Sequence, residues 1–255
     1  MQIEIIPIPA YQDNYIWLLH NGQDAAVVDP GESEQVEQYL IEHNLKLKYI
    51  LITHHHWDHV NGLVSLQKNW DCEVFAPIDT RIPGDLTSVK EQDQVHLPEL
   101  ELTFNVFEIP GHTLTHICFF NDLWLFSGDT LFSIGCGRMF EGNPTQFVDS
   151  LNKLKSLNPN TAVFCGHEYT LNNINFALTL EPNHDGLQKL KQEVQKKRNN
   201  NEPTLPVTLG QEFSLNPFLR IDTPELQKAL SNQMGKLIED EVSCFAQLRL
   251  SKDQF

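Results

Sequence analysis

A chain of 255 residues, 40% hydrophobic and 20% charged, has the composition of an ordinary globular protein and is long enough for one large domain or two small ones. Its formal net charge of −16 sets it against polyanions such as nucleic acid, but leaves room for a small anionic substrate held by a local cluster of Lys and Arg. Five scattered cysteines with no Cys-x-x-Cys pair, no signal-like N-terminus and no bilayer-length apolar run lead to the expectation of reduced thiols in a cytoplasmic protein with no membrane association.

In chain order, Ile3 to Pro9 reads as a strand stopped by prolines. Tyr15 to Leu19 and Ala25 to Val28 read as two more, joined by a turn at Asn21-Gly22. Asp29 closes the third strand, either as a turn residue or as a support for the motif that follows Ile52. Ser33 opens a helix to about Asn44, with Val36, Leu40 and Ile41 as its apolar side. Tyr49 to Ile52 and Cys72 to Ala76 are short strands, and Glu99 to Ile109 alternates as a half-buried one. Helices are expected over 171–180, over 185–200 and from Thr223-Pro224 onward, where proline suits the first turn. The character of the chain changes near residue 170. A mixed α+β domain over 1–170 followed by a helical domain over 171–255 is therefore expected.

Directly after Ile52 stands Thr53-His54-His55-His56-Trp57-Asp58-His59, four imidazoles and a carboxylate in seven residues. Neutral imidazole is the commonest protein ligand of Zn, Fe, Mn and Ni. Three other apolar stretches also end in a candidate ligand: His112 after Ile109, Asp129 after Gly128 and His167 after Gly166. Four strands that present ligands at their C-terminal ends can gather them at one edge of a sheet. Seven candidates are too many for one tetrahedral ion. Two ions fit better, with His54, His56 and His112 on one, Asp58, His59 and His167 on the other, and Asp129 bridging. A water between two such ions would ionise near pH ~7 and attack a carbonyl, with Asp58 and Asp129 beside it as the catalytic carboxylates. His55 is expected to point away from the ligands, and His116 to orient one or to pack. His20, His43, His96 and His184 are expected at the surface.

These motifs resemble the metallo-β-lactamase superfamily and, within it, glyoxalase II, the hydroxyacylglutathione hydrolases. The closer likeness is carried by residues 53–59, Ser127 to Phe132, Gly135-Cys136-Gly137-Arg138 with Glu141-Gly142, and Cys165 to Thr170. Asn216 to Arg220 and Arg249 to Phe255 are similar to that family's helical domain, so the likeness spans nearly the whole chain. It implies an αββα sandwich with a C-terminal helical domain, and two divalent ions, Zn foremost and otherwise Fe or Mn. The implied reaction is hydrolysis of S-(R)-lactoylglutathione and related S-2-hydroxyacylglutathiones to glutathione and D-lactate, the second step of methylglyoxal detoxification. A monomer is expected, and the resemblance implies substrate contacts at Arg138, Tyr169, Arg249 and Lys252, the three cations among them suited to the carboxylates of glutathione. Some members have Tyr where this chain has Phe140, so a hydroxyl contact is missing there. The rival readings are another hydrolase of the fold, a persulfide dioxygenase with one iron, and a degenerate non-catalytic member. The complete ligand set and the basic residues weigh against all three.

Overall fold

The computed structural model describes residues 2–255. Contacts divide them into two compact units that interleave along the chain. One holds residues 2–108 with Thr115–Gly128, the other Ile109–Leu114 with Asp129–Phe255.

The first unit opens with β1 (Glu4–Ala10), β2 (Asn14–His20) and β3 (Asp24–Val28), an antiparallel meander in which Pro7 pairs with Trp17. The prolines do not stop β1, contrary to the sequence reading. It pairs on one side only, with β2, and an edge strand tolerates residues without an N–H. From β3 the direction changes. Helix α1 (Glu34–Glu42) is the crossover to β4 (Lys46–Leu51), which lies parallel to β3, as a parallel neighbour requires. Short helices α2 (Trp57–Val60) and α3 (Leu63–Asn69) make the next crossover, to β5 (Glu73–Pro77), and β6 (Thr87–Val89) adds a third parallel step. Val36 and Leu40 of α1 join Ile16, Leu18, Val27, Ile50 and Leu66 in one buried cluster. Each such side chain contributes roughly 1.5–3 kcal/mol on burial. Ile41, expected on that buried side, is 71% exposed, because α1 is only half covered and its stripe is narrower than the sequence suggested. The unit is completed by β7 (Gln94–Leu97), β8 (Leu102–Glu108), β9 (Ile117–Phe120) and β10 (Trp124–Gly128), an antiparallel run whose inward Phe104, Val106, Phe119 and Phe126 are buried.

The second unit contains a tight hairpin of β11 (Leu131–Phe132) and β12 (Gly135–Cys136), then α4 (Pro144–Lys155), which starts on an Asn143–Gln146 capping box. After β13 (Ala162–Cys165) come α5 (Thr170–Leu180) and α6 (Asp185–Asn199); β14 (Val207–Thr208) pairs with β13. The chain ends in α7 (Leu209–Leu215), α8 (Pro224–Met234) and α9 (Glu241–Asp253). Leu187 and Val194 of α6 pack on Ile174 and Ala177 of α5 and on Ile134. Phe147, Phe218 and Phe245 form a second, aromatic core, with ring centroids 4.9 and 5.9 Å apart. All five cysteines are free thiols, and no helix among the described residues is long and apolar enough to cross a membrane.

Candidate metal centre

Because β3, β4 and β5 run parallel, their C-terminal ends lie along the same sheet edge, the usual place for a ligand site. The edge brings Asp29 after β3 beside Thr53 and His54 after β4, and Asp79 after β5 beside His55. Asp29 adopts φ +52°, a left-handed conformation that short polar residues accept best, and this turns its carboxylate toward the neighbouring strand. There Asp29 accepts from the Thr53 N–H (2.8 Å) and the Thr53 hydroxyl (2.7 Å), and its Oδ2 lies 3.0 Å from His59 Nδ1.

These contacts assign the imidazole protons. A carboxylate only accepts, so His59 carries its proton on Nδ1 and leaves a lone pair on Nε2. The Thr53 hydroxyl spends its proton on Asp29, so its oxygen accepts from His54 Nδ1 at 3.0 Å, and His54 also keeps a lone pair on Nε2. One buried carboxylate thereby leaves both histidines with a lone pair on Nε2, the arrangement that suits a metal-binding imidazole. The proximity of Asp29 to His54 and His59 makes it a possible ligand on distance alone. Three donors already occupy its two oxygens, so it acts as their orienter.

The spacings between these donor atoms suit a metal. Two ligands on one tetrahedral ion at Zn–N distances stand roughly 3.3 Å apart. His54 Nε2 and His56 Nδ1 are 3.1 Å apart, and His59 Nε2 and Asp58 Oδ2 are 3.6 Å apart. Asn14 Nδ2 donates to Asp58 Oδ2 at 3.0 Å and holds that carboxylate.

The second unit carries its own set. Asp129 Oδ2 lies 3.5 Å from His112 Nε2 and 3.2 Å from His167 Nε2, one carboxylate between two imidazoles. His112 Nδ1 donates to the Arg138 carbonyl at 2.8 Å, which leaves its Nε2 as the acceptor nitrogen. Tyr169 stacks on His167 with centroids 4.7 Å apart and planes 6° apart, and Phe132 meets both rings edge-on. Gly137 is pressed against this group: a Cβ there would stand 1.9 Å from the Asp129 carbonyl oxygen and 2.9 Å from His112 Nδ1. Gly137→Ala is accordingly expected to cost about 1–3 kcal/mol, a fall in melting temperature of roughly 2–10 °C. A thermal melt at the wild-type temperature would show that the backbones are not in fact so close.

The other histidines and the basic residues divide as follows. His55 turns to Asp79 Oδ2 at 3.4 Å, and Asp79 is held well below the usual carboxylate range by hydrogen bonds from Arg81 and Thr115. His116 is buried and stacks on His54 at 4.6 Å. His20, expected at the surface, is only 8% exposed: it lies in central β2 beside Tyr39, and burial lowers its pKa. His43 and His96 are exposed, and half-exposed His184 caps α6. Arg249 is 3% exposed; it donates to the Cys136 carbonyl at 2.8 Å and pairs with Asp253 at 3.0 Å. Lys252 lies over the rings of Phe176 and Phe255, where burial lowers it to about 8. Arg138 and Phe140 are exposed, the Phe140 ring 5.2 Å from His112. Asp79, Asn14 and the Arg249 contact were not found from the sequence, which has no local pattern that marks them.

The fold and these ligand-type side chains define a protein of the metallo-β-lactamase class. Residues 12–167 match the family model described as metallo-beta-lactamase superfamily. Two solved structures share the fold: ETHE1 from Myxococcus xanthus (TM-score 0.64, 23% identity, 89% of this chain and 88% of that one) and the BLEG-1 B3 metallo-beta-lactamase (TM-score 0.62, 24% identity, 86% and 99%). Residues 168–255 match the model described as hydroxyacylglutathione hydrolase C-terminus. Proteins named hydroxyacylglutathione hydrolase are similar over the whole length: 44% identical in Nitrosomonas eutropha and 46% in Xanthomonas euvesicatoria, each covering 99% of both chains, and 45% in Vibrio cholerae, covering 99% of this chain and all of that one. The chain belongs to the hydroxyacylglutathione hydrolase family within that superfamily.

Proposed function

We propose that the protein is a thioester hydrolase that cleaves S-(R)-lactoylglutathione and related S-2-hydroxyacylglutathiones to glutathione and the free hydroxy acid, D-lactate for the first. The observation that carries this reading is the Asp129 carboxylate set between the Nε2 atoms of His112 and His167. It is supported by full-length likeness to proteins of that name. His54, His56 and His112 are assigned to one divalent ion, Asp58, His59 and His167 to a second, and Asp129 to both. The proposed ions are two Zn, or Fe or Mn in their place, since supply decides as much as ligand type. Bound there, they would supply Lewis acidity toward the attacking water and the thioester carbonyl.

The chain's own groups do the rest. Asp29 and Thr53 hold His54 and His59 in the ligating tautomer. Asp58, steadied by Asn14, is the carboxylate proposed to take the proton released as the water attacks, and Asp129, the other catalytic carboxylate, is proposed to act through the charge it sets between the two ions. The leaving group is a thiol with a pKa near ~8.5, so it departs as thiolate without a strong general acid. In the proposed division of labour residues 1–170 carry the chemistry and two of the substrate contacts, and the helical residues 171–255 supply the others. Arg138, Tyr169, Arg249 and Lys252 are the proposed contacts for glutathione, with Lys252 pre-seated on two aromatic rings. The enzyme is read as a cytoplasmic monomer with no nucleic-acid or membrane partner.

The test is to follow the thioester absorbance of S-lactoylglutathione with purified protein and to count metals on the same sample. Hydrolysis with about two ions per chain, lost on chelation and restored by Zn, is the expected result. One iron per chain, no hydrolysis, and oxygen uptake with glutathione persulfide would replace this reading with that of a dioxygenase.

A further inference from the structure

The hairpin Leu131–Cys136 carries Phe132 against His167 and Tyr169 and leads into Gly137 and Arg138, whose backbone touches Asp129 and His112. Two strand residues on each side do not make such a hairpin rigid by themselves. At its tip Ile134 has φ +56°, a left-handed conformation that a β-branched residue avoids. Something else must hold it there.

That support comes from α7. Glu212 is 0% exposed, and its Oε2 accepts the Ile134 N–H at 2.7 Å and Asn216 Nδ2 at 2.9 Å. The same Asn216 amide reaches the Phe132 carbonyl at 3.2 Å and the Gly135 carbonyl at 3.0 Å, while Asn173 Nδ2 donates to the Ser133 carbonyl at 3.0 Å. Four peptide groups around the tip, the Ile134 N–H and the carbonyls of Phe132, Ser133 and Gly135, are therefore tied to buried side chains. Burial pushes the Glu212 carboxyl up to about 7, against the hydrogen bonds from Ile134 and Asn216 that favour its charge. A buried acid is a costly way to fill a helix face unless its acceptor oxygens are needed.

We propose that Glu212, acting with Asn216 through the Ile134 hairpin, is a positioning residue that holds the backbone wall beside His112, Asp129 and His167. This rests on the hydrolase reading above. Removal of the carboxylate frees the Ile134 N–H, lets the strained tip relax and shifts the wall, so His112, Asp129 and His167 lose their alignment although no residue that touches substrate or metal has changed.

Two readouts test this. The first is amide hydrogen exchange of residues 133–138, read by mass spectrometry on chelated and metal-loaded protein. The second is kcat and KM for S-lactoylglutathione, referred to folded protein by circular dichroism. Glu212→Ala should exchange at least tenfold faster over 133–138 and lose about tenfold in kcat, with KM within about twofold. Glu212→Gln, whose amide oxygen still accepts from Ile134, should recover most of the rate. Asn216→Ser leaves Glu212 on Ile134 and should show the same effects more weakly; it stands in if Glu212→Ala does not fold. Unchanged exchange, or fast exchange with an unchanged kcat, would overturn the proposal. A wild-type protein with no thioesterase activity would sink the hydrolase reading instead, and the exchange data would still decide whether the clamp exists.

Discussion

Asp129→Ala is expected to lower kcat/KM by on the order of 10³, the several kcal/mol that a catalytic metal contributes at 1.36 kcal/mol per decade. The side chain leaves the end of β10 and stands 3.2 and 3.5 Å from two imidazole nitrogens. Its loss would remove the one ligand assigned to both ions and leave His112 and His167 without the negative charge between them. Metal content should fall below two per chain in the same preparation, measured by elemental analysis. Asp129→Asn separates charge from shape, because it keeps the volume and one acceptor oxygen; it should retain more metal than the alanine variant but little more activity. A fully active alanine variant with two ions would end the bridging assignment.

Asp29→Asn is expected to weaken metal binding by about 10- to 100-fold, the usual effect of removing a group that orients a ligand. Asparagine tolerates the left-handed backbone at this position, so the fold should survive and only the hydrogen bonds change. Three donors converge on the carboxylate: the Thr53 N–H, the Thr53 hydroxyl and His59 Nδ1. An amide offers them one oxygen and turns an NH2 group on the rest. His59 is then free to move its proton to Nε2, which cannot ligate. Thr53 can turn its hydroxyl toward His54, which then loses the acceptor for its Nδ1 proton. Competition with a metallochromic chelator measures the loss. Wild-type affinity in the variant would show that the tautomers are set by some other group.

Much of the candidate site could be read from the chain because its chemistry is local. His54, His56, Asp58 and His59 fall within six residues, and each of His112, Asp129 and His167 follows an apolar run that forms or leads out of a strand. Repetition of one pattern, an apolar strand followed by a ligand-type residue, carries over from sequence to fold because β4, β8, β10 and β13 form where the apolar runs are. Helices α1, α5, α6 and α8 are legible through their apolar spacing; α2, α3, α4, α7 and α9 are not, and only the structure supplies them.

The sequence by itself determined which residues are chemically fit to hold metal and where the strands that lead into them lie, since both depend on residue type and spacing within a few positions; β6, β7, β9, β11, β12 and β14 came only from the structure. The tertiary structure alone decided which polar residues serve them. Asp29 was open between turn and support until the parallel register of β3 and β4 placed its carboxylate on Thr53 and His59. Asp79 finds His55 because β5 continues the same parallel edge. His20 is buried by strands on both sides, and Arg249, which reads locally as part of a solvated tail, is buried against a carbonyl 113 positions earlier in the chain. Glu212 reaches Ile134 across 78 positions. A hydrogen bond between residues far apart in sequence leaves no mark on either local pattern, because its energy depends on where the backbone has already been brought by the burial of apolar surface.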